Sequence, residues 1–241
     1  MLVINMIADD LSNNVQFAGN HSFPKNAIVD KIIISIKQTH QCFIETLNTL
    51  NTSQLNEDEL TQIFVKQNSV QLQYMELTSI YVGVQYREIY QKNTKGIPDI
   101  YYSLLEQGIE NIPSFIMEAK RLPAPGSNRE KEYVFGKTKN GNPNGGIERF
   151  KLEKHGLGLK ECGILGYIEK EDFNYWFTQV NNWITELSND SKNDWNINET
   201  LNFIESNTSS NYYLSNVNRN SDLLKLHHFW INIKSYSKAE I

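Results

Sequence analysis

The sequence predicts a mixed α/β (α+β) protein in which a central sheet is flanked by helices. Two amphipathic helices come first, strand-like segments follow them, and an aromatic-rich helix comes later. The predicted order is helix, helix, three strands, short helix and strand, followed by a C-terminal helix and strand extension. This order fits one layered domain and does not alternate strictly, as a doubly wound sheet does.

The composition is that of a globular protein in a reducing compartment. Of the 241 residues, 39% are hydrophobic and 21% are charged, which is ordinary for one domain with a sizeable core. Cys42 and Cys162 lie far apart, so neither a disulfide framework nor a zinc ribbon is expected. No apolar run approaches the roughly 20 residues that cross a bilayer, and the start lacks a signal peptide pattern. We therefore expect a cytoplasmic protein with no membrane partner.

The charges are unevenly distributed along the chain. The net charge of -5 argues mildly against a nucleic-acid partner. From Glu118 to Lys160, however, ten Lys and Arg face five Asp and Glu, a local charge of +5. A basic segment attracts phosphate backbones, although a solvated loop and helix would have the same composition.

The first predicted elements are helices. Apolar residues recur at helical spacing from Ala27 to Leu50. Asn56 is a good N-cap for a second helix, which has an acidic first turn that begins at Glu57. The segment from Met1 to Asn20 is mixed in character and is predicted to be peripheral.

The middle of the chain predicts three strands and a loop. β-Branched and aromatic residues predict strands within Gln71 to Tyr90, Ile97 to Leu105 and Pro113 to Ala119. The Pro-, Gly-, Asn- and Lys-rich stretch from Leu122 to Asn144 predicts a long loop. A short helix is predicted from Gly146 to Lys154.

The C-terminal part predicts fewer elements. A compact apolar strand from Gly163 to Ile168 precedes an amphipathic helix from Glu171 to Leu187. A polar linker, a weak helix around Leu201 and a terminal strand from Leu223 to Lys234 follow. The His227-His228 pair in that strand is expected to have one side chain buried and one exposed, because neighbours on a strand face opposite ways.

Two short motifs carry the predicted chemistry: a Pro-Asp pair at Asp99 and a Glu-Ala-Lys triplet from Glu118 to Lys120. Glu118 and Lys120 point the same way on a strand, and Asp99 lies beside Glu118 if the two strands pair. Two carboxylates on rigid strands suit Mg²⁺, and the amine would orient or deprotonate a water or balance phosphate charge. The structural alternative is an ion pair of Glu118 with Lys120 or Arg121 at a strand end, with Asp99 in a turn.

Pro98-Asp99 followed by Glu118-Ala119-Lys120 resembles the PD-(D/E)xK signature of the restriction-endonuclease-like nuclease superfamily. The predicted element order resembles the αβββαβ core of that superfamily over about residues 56–168. The resemblance implies one nuclease domain over 1–241, with an N-terminal helical extension at 1–55 and a C-terminal helix and strand extension at 169–241. It also implies hydrolysis of phosphodiester bonds with Mg²⁺ or Mn²⁺, with Asp99 and Glu118 as metal ligands and Lys120 serving the water nucleophile.

Further residues are candidates for the same site. Nucleases of this type often have another acid on the first helix, and Glu57 is the choice here, although such an acid also complements the helix dipole. Arg121, Arg129 and Arg149 are predicted to bind nucleic-acid phosphates, and the alternative for each is ordinary solvated surface. His155 is a spare candidate.

By analogy, the expected function is a DNA endonuclease of the bacterial restriction or anti-phage defence type. Because the chain is small and acidic, we expect a homodimer or a partner subunit to help it hold DNA. Two alternatives stay open: a non-catalytic subunit that keeps the nuclease fold in a larger complex, and an RNA-directed nuclease or RNA-binding module. The intact Asp-Glu-Lys set argues against the first, and the sequence has no recognisable RNA-binding signature for the second.

Overall fold

The structure is a computed structural model that describes residues 25–50, 55–87, 96–105, 113–190 and 194–237. The segment predicted to be peripheral, 1–20, lies outside these residues. The helices are α1 (Lys25–Thr49), α2 (Glu57–Tyr74), α3 (Gly146–Lys151), α4 (Phe173–Ser188) and α5 (Lys234–Ser237). The strands are β1 (Ile80–Val84), β2 (Ile100–Leu104), β3 (Phe115–Leu122), β4 (Glu161–Ile168), β5 (Asn202–Ser206), β6 (Ser210–Asn218) and β7 (Leu223–Asn232). Two 3-10 helices lie at Ser127–Tyr133 and Ile197–Glu199.

The strands form one mixed sheet in the order β1-β2-β3-β4-β7-β6-β5. The β3–β4 and β4–β7 pairs are parallel, and the other pairs are antiparallel. Helices α1 and α2 cover one face, where Phe115, Met117 and Ala119 of β3 are buried. Helices α3 and α4 cover the other face, where Ile116 and Leu122 of the same strand are buried. The predicted mixed sheet between helices is therefore confirmed, and β3 lies between two hydrophobic cores.

The two N-terminal helices agree with the predicted starts. In α2, the Asn56 side chain accepts a hydrogen bond from the Glu59 backbone, and the Glu59 carboxylate accepts one from the Asn56 backbone. This capping box satisfies two backbone N–H groups that the first turn leaves without helical partners. Among the described residues, no helix is both long and apolar enough to cross a membrane.

Helix α2 is longer than the sequence predicts. It continues to Tyr74, so the expectation of a strand from Gln71 is wrong at its start, and β1 begins only at Ile80. The buried amide of Asn68 donates to Thr39 Oγ1 on α1 at 2.8 Å, and Tyr102 donates to its oxygen at 2.9 Å. These bonds to α1 and β2 stabilise the helix beyond what local propensity indicates.

The segment predicted as a loop from Leu122 to Asn144 has structure of its own. It contains the first 3-10 helix, and both Tyr133 and Val134 are buried, Tyr133 in contact with His228 and Trp230 of β7 and Val134 bonded to the first turn of α3. An antiparallel bridge joins Lys137 to Pro143. The loop is therefore anchored at its middle and leads directly into α3.

The C-terminal part contains more strands than the sequence predicts. The helix predicted around Leu201 is wrong, because Asn202–Ser206 forms strand β5, and β6 was not predicted. The terminal strand β7 lies between β4 and β6 near the middle of the sheet. Seven of the eight β4 residues are buried. A strand that is covered on both faces also needs a hydrogen-bonded neighbour along each edge, and for β4 these neighbours are β3 and β7.

Candidate functional site

The two predicted motifs meet where β2 begins beside β3. Ile100 pairs with Met117 in the antiparallel register, so Asp99 lies next to Glu118 along the same edge. The Asp99 carboxylate accepts a hydrogen bond of 2.7 Å from the backbone N–H of Ala119. The acid that precedes β2 is therefore held against the backbone of the Glu-Ala-Lys triplet.

Glu118 and Lys120 lie on the same side of β3. The Lys120 ammonium donates to Glu118 Oε1 at 3.0 Å and to the Ala119 carbonyl oxygen at 2.7 Å. The Glu118 side chain is fully buried, and that of Lys120 is only 8% exposed. Burial of a carboxylate and an ammonium is costly unless each has charged partners.

Glu57 reaches the same point from the first turn of α2. Its Oε2 accepts a hydrogen bond of 3.1 Å from the Arg121 backbone N–H, and its Oε1 lies 3.5 Å from the Lys120 ammonium. An acid that served only the helix dipole would have no need to contact a strand. The structure thus brings Glu57, Asp99, Glu118 and Lys120 together.

A hydrogen-bonded chain leads from the surface to Glu118. Arg129 pairs with Glu132, whose other oxygen accepts a bond from Asn144. The Asn144 oxygen accepts from Arg149 at 2.6 Å, and Arg149 pairs with Glu118 Oε1. Arg149 thus contacts the central carboxylate directly, whereas Arg129 is linked to it only through three side chains.

Arg121 is separate from that chain. Its guanidinium makes two bonds to Glu169, of 2.5 and 2.8 Å, although its backbone N–H holds Glu57. The side chain of Arg129 is 48% exposed, and that of Arg121 is 24% exposed. Of these two candidate phosphate ligands, Arg129 is the more accessible.

Two further residues of the site, His155 and Asn144, lie outside the two sequence motifs. His155 Nε2 lies 3.2 Å from Glu118 Oε2, yet neither atom makes a hydrogen bond. Asn144, which orients Arg149, was not singled out at all. The available signal was the Gly-Gly pair before α3: a Cβ at Gly145 would lie 2.2 Å from Phe135 Cα, so a glycine permits the close approach that brings Arg149 to Glu118.

Burial, together with the neighbouring acids, raises the pKa values of Asp99 and Glu57. Burial and, to a smaller extent, nearby Glu118 raise the pKa of Asp99 to about 8, although Lys120 and the Ala119 N–H oppose this. Burial and Glu118 also raise the pKa of Glu57 above its ordinary value, against the effect of Lys120. Asp99 therefore keeps its proton at neutral pH.

The central ion pair remains charged. Burial alone would raise the pKa of Glu118, but Lys120, His155 and Arg149 outweigh it and hold the pKa below its usual range. Burial alone would lower the pKa of Lys120, but Glu118, Glu57 and Asp99 raise it above its ordinary value. At neutral pH, Glu118 is therefore an ionised carboxylate and Lys120 a protonated ammonium.

The oxygen atoms of the site are the possible ligands of a cation. Among the described residues, no three His, Cys, Asp or Glu side chains are already arranged as a metal site. Glu118 Oε2 is buried, makes no hydrogen bond and faces His155 Nε2 at 3.2 Å. The carboxylates of Glu118, Asp99 and Glu57 nevertheless supply only oxygen atoms, the ligands that Mg²⁺ prefers.

The histidine pair of β7 belongs to the core. Both side chains are buried, so the expectation that one would be exposed is wrong, because helices cover both faces of the sheet. His227 contacts Tyr212 and Glu161, whereas His228 contacts Tyr133 and Ser215. They point to opposite faces and do not form a joint metal site.

Comparison with known proteins identifies no relative of this chain. The candidate site therefore stands on its own geometry: three acids and a lysine at one end of two paired strands, with Arg149 and His155 behind them. The chain matches no protein-family model, no curated protein and no solved structure.

Proposed function

We propose that this protein is a metal-dependent nuclease that hydrolyses phosphodiester bonds, with DNA as the first substrate to test. The observation that carries the proposal is the meeting of Asp99, Glu118, Glu57 and Lys120 at one buried point. A strand-end ion pair, the structural alternative, would account for Glu118 and Lys120. It would not account for the two further acids, Glu57 and Asp99, or for the pKa of Asp99, which burial, with a smaller effect of Glu118, raises to about 8.

Asp99 and Glu118 are the residues that would hold the cation, with Glu57 as a third oxygen ligand. The mutual repulsion of the acids favours a cation at this point. When bound, Mg²⁺ or Mn²⁺ polarises a phosphoryl oxygen and makes an attacking water more acidic. Asp99 would have to lose its proton to solvent in order to hold such a cation.

Lys120 serves the reaction as a positive charge. Because its acidic neighbours raise its pKa above the ordinary value, the amine keeps its proton at neutral pH and is not a general base. An ammonium held 3.0 Å from Glu118 orients a water by hydrogen bonding and stabilises charge that develops on the phosphate. Arg149 supports it by holding the Glu118 carboxylate in place.

The order of elements supports the same class of enzyme. From α2 to β4 the chain runs helix, three antiparallel strands, short helix and a strand parallel to β3. This order resembles the αβββαβ core of the PD-(D/E)xK nucleases, to which we assign the protein as part of the proposal. A role in bacterial restriction or anti-phage defence, a cytoplasmic location and a dimeric or partnered state belong to it by analogy.

Plasmid nicking tests the proposal. The wild-type protein with Mg²⁺ or Mn²⁺ is expected to convert supercoiled DNA to open circles, and Lys120→Met and Asp99→Asn to lose this activity. Lys66→Met, a substitution at an exposed lysine of α2, is the matched control and is expected to cut normally. Circular dichroism checks that each variant is folded.

The outcomes separate the competing functions. Cutting by Lys120→Met at the wild-type rate would refute the assigned site. Cutting of RNA but not DNA in a panel of single and double strands would favour the RNA-directed alternative. No cutting of any substrate by the folded wild-type protein, even with a second subunit, would favour the non-catalytic alternative.

A further inference from the structure

The segment from Gly136 to Asn144, here called the basic hairpin, projects between the first 3-10 helix and α3. Lys137 bridges Pro143, the Thr138 N–H donates to the Asn142 carbonyl at 2.8 Å, and the Asn144 N–H donates to the Gly136 carbonyl at 2.9 Å. Internal bonds therefore fix its shape without a partner. A preformed element loses little conformational entropy when it binds a ligand.

The chemistry of the basic hairpin suits a polyanion. Positions 137–142 are all exposed, and they include Lys137, Lys139 and the donors Thr138, Asn140 and Asn142. No Asp or Glu occurs in the sequence between Glu132 and Glu148. Lysine, hydroxyl and amide groups are those that contact phosphate and sugar in nucleic acids.

An open cleft of about 430 Å³ adjoins the basic hairpin. Arg129, Lys131 and Lys137 line it, and Phe135 forms part of its wall. Lys131 pairs with Glu186 at 2.6 Å, but both side chains are well exposed, so this pair exchanges readily for a phosphate. Two acids also line the cleft: Glu130, which is exposed, and Glu132, which is buried and already bound to Arg129 and Asn144.

The basic hairpin is joined directly to the candidate site. Asn144, its last residue, accepts a bond from Arg149, and Arg149 pairs with Glu118. Within this chain of contacts, only the Arg149 guanidinium separates the basic hairpin from the central carboxylate.

We propose that the basic hairpin and its cleft bind the sugar-phosphate backbone of a nucleic acid, on one side of the bond to be cut. This inference rests on the proposed nuclease function and names the surface that holds its substrate. Lys137 and Lys139 contact phosphates, and Arg129 and Lys131 extend the contact into the cleft. The recognition is of charge and spacing, so it weakens similarly for all sequences when a lysine is removed.

Binding without cleavage tests the inference separately from the nuclease activity. Fluorescence anisotropy in EDTA, at several salt concentrations, measures the affinity for a labelled DNA duplex, an RNA duplex and both single strands. For Lys137→Ala/Lys139→Ala we expect weaker binding and a salt dependence, as log K against log[salt], that is shallower by about 2 for the duplex. A merely structural role would lower affinity without changing this slope.

Charge reversal provides the matched control. Lys139→Glu and Lys66→Glu both change the net charge by two units at exposed positions, and only the first is expected to weaken binding strongly. Any of three results would overturn the inference. The first is an unchanged salt dependence in the double variant, and the second is an equal loss of affinity in the two charge reversals. The third is that the wild-type protein binds none of the probes. If the wild-type protein binds nucleic acid but cuts none of the substrates, the proposed nuclease function is contradicted. The binding surface inferred here is still supported by that result.

Discussion

The carboxylate of Asp99 accepts a hydrogen bond of 2.7 Å from the backbone N–H of Ala119. This contact holds the acid that precedes β2 against the middle of the Glu-Ala-Lys triplet on β3. A single backbone N–H is not enough to keep a buried carboxylate ionised beside Glu118, and the pKa of Asp99 is about 8, chiefly because of burial. The Asp99 carboxyl therefore keeps its proton at neutral pH.

Cation binding is expected to be coupled to loss of the Asp99 proton. Because the folded pKa is about 8, Mn²⁺ affinity should rise from about pH 6 to about pH 8 and then level off, with up to one proton released per ion. Isothermal titration calorimetry in two buffers with different ionisation enthalpies measures the released proton. Asp99→Asn, which has no proton to lose, should bind weakly with a flat pH profile, and a steep profile in this variant would contradict the assignment.

Loss of one member of the buried pair should cost far more than loss of both. Glu118→Ala leaves the Lys120 ammonium buried without its closest carboxylate, and we expect about 3–5 kcal/mol of lost unfolding free energy. Glu118→Ala/Lys120→Met should be more stable than Glu118→Ala, as measured by urea denaturation.

An exposed ion pair is the control for this cycle. Lys37 pairs with Glu205, and both side chains remain partly exposed, at 27% and 43%. Lys37→Ala should therefore cost roughly 1 kcal/mol or less. Similar losses for Glu118→Ala and Lys37→Ala would mean that solvent screens the site.

The buried His40 should make the fold sensitive to acid. Burial, with help from Lys37, lowers its pKa from 6.5 to about 3, and neither ring nitrogen has a hydrogen-bond partner. As the pH falls below about 6.5, His40 therefore takes up a proton in the unfolded chain but not in the folded one. The free energy of unfolding decreases as a result. His40→Leu, which breaks no hydrogen bond, should unfold less readily than wild type at about pH 5 in urea titrations, and an identical loss on acidification in both proteins would refute this cause.

The cap of α2 should matter for the site as well as for stability. Asn56→Ala removes the bond from the Glu59 backbone and is expected to cost about 1 kcal/mol of unfolding free energy. It should also weaken Mn²⁺ binding, because the frayed turn carries Glu57. Asn196→Ala removes a similar cap from the second 3-10 helix; a stability loss without a change in Mn²⁺ affinity is expected there, and equal affinity losses in both variants would contradict the link.

Local signals predicted the parts of the site that depend on one element at a time. The alternation of side chains along β3 predicts that Glu118 and Lys120 share a face, and the structure confirms it with a contact of 3.0 Å. The Asn56 cap was predicted in the same way and is present. The catalytic and metal-binding roles of these residues stay predictions.

Long-range contacts explain what the sequence did not predict. Asn144 and His155 join the site only because α3 packs against β3, a long-range contact that the Gly-Gly pair before α3 permits but does not by itself predict. The predicted helix at Leu201 is wrong because β5 is an exposed edge strand, in which Phe203 and Ile204 are 55% and 48% exposed. Pairing with β6 determines its structure, and weak local propensity does not oppose it.

The late position of β7 in the sequence has a consequence for synthesis of the protein. During translation, β3 and β4 emerge with all the proposed catalytic residues, but β4 has an open apolar edge until Leu223–Asn232 has been made. The nascent chain therefore carries its motif for some time before it has a finished sheet to hold it. A fragment that stops after β4 would expose that edge to other strands and aggregate, so the motif-bearing half is not expected to be stable without β7.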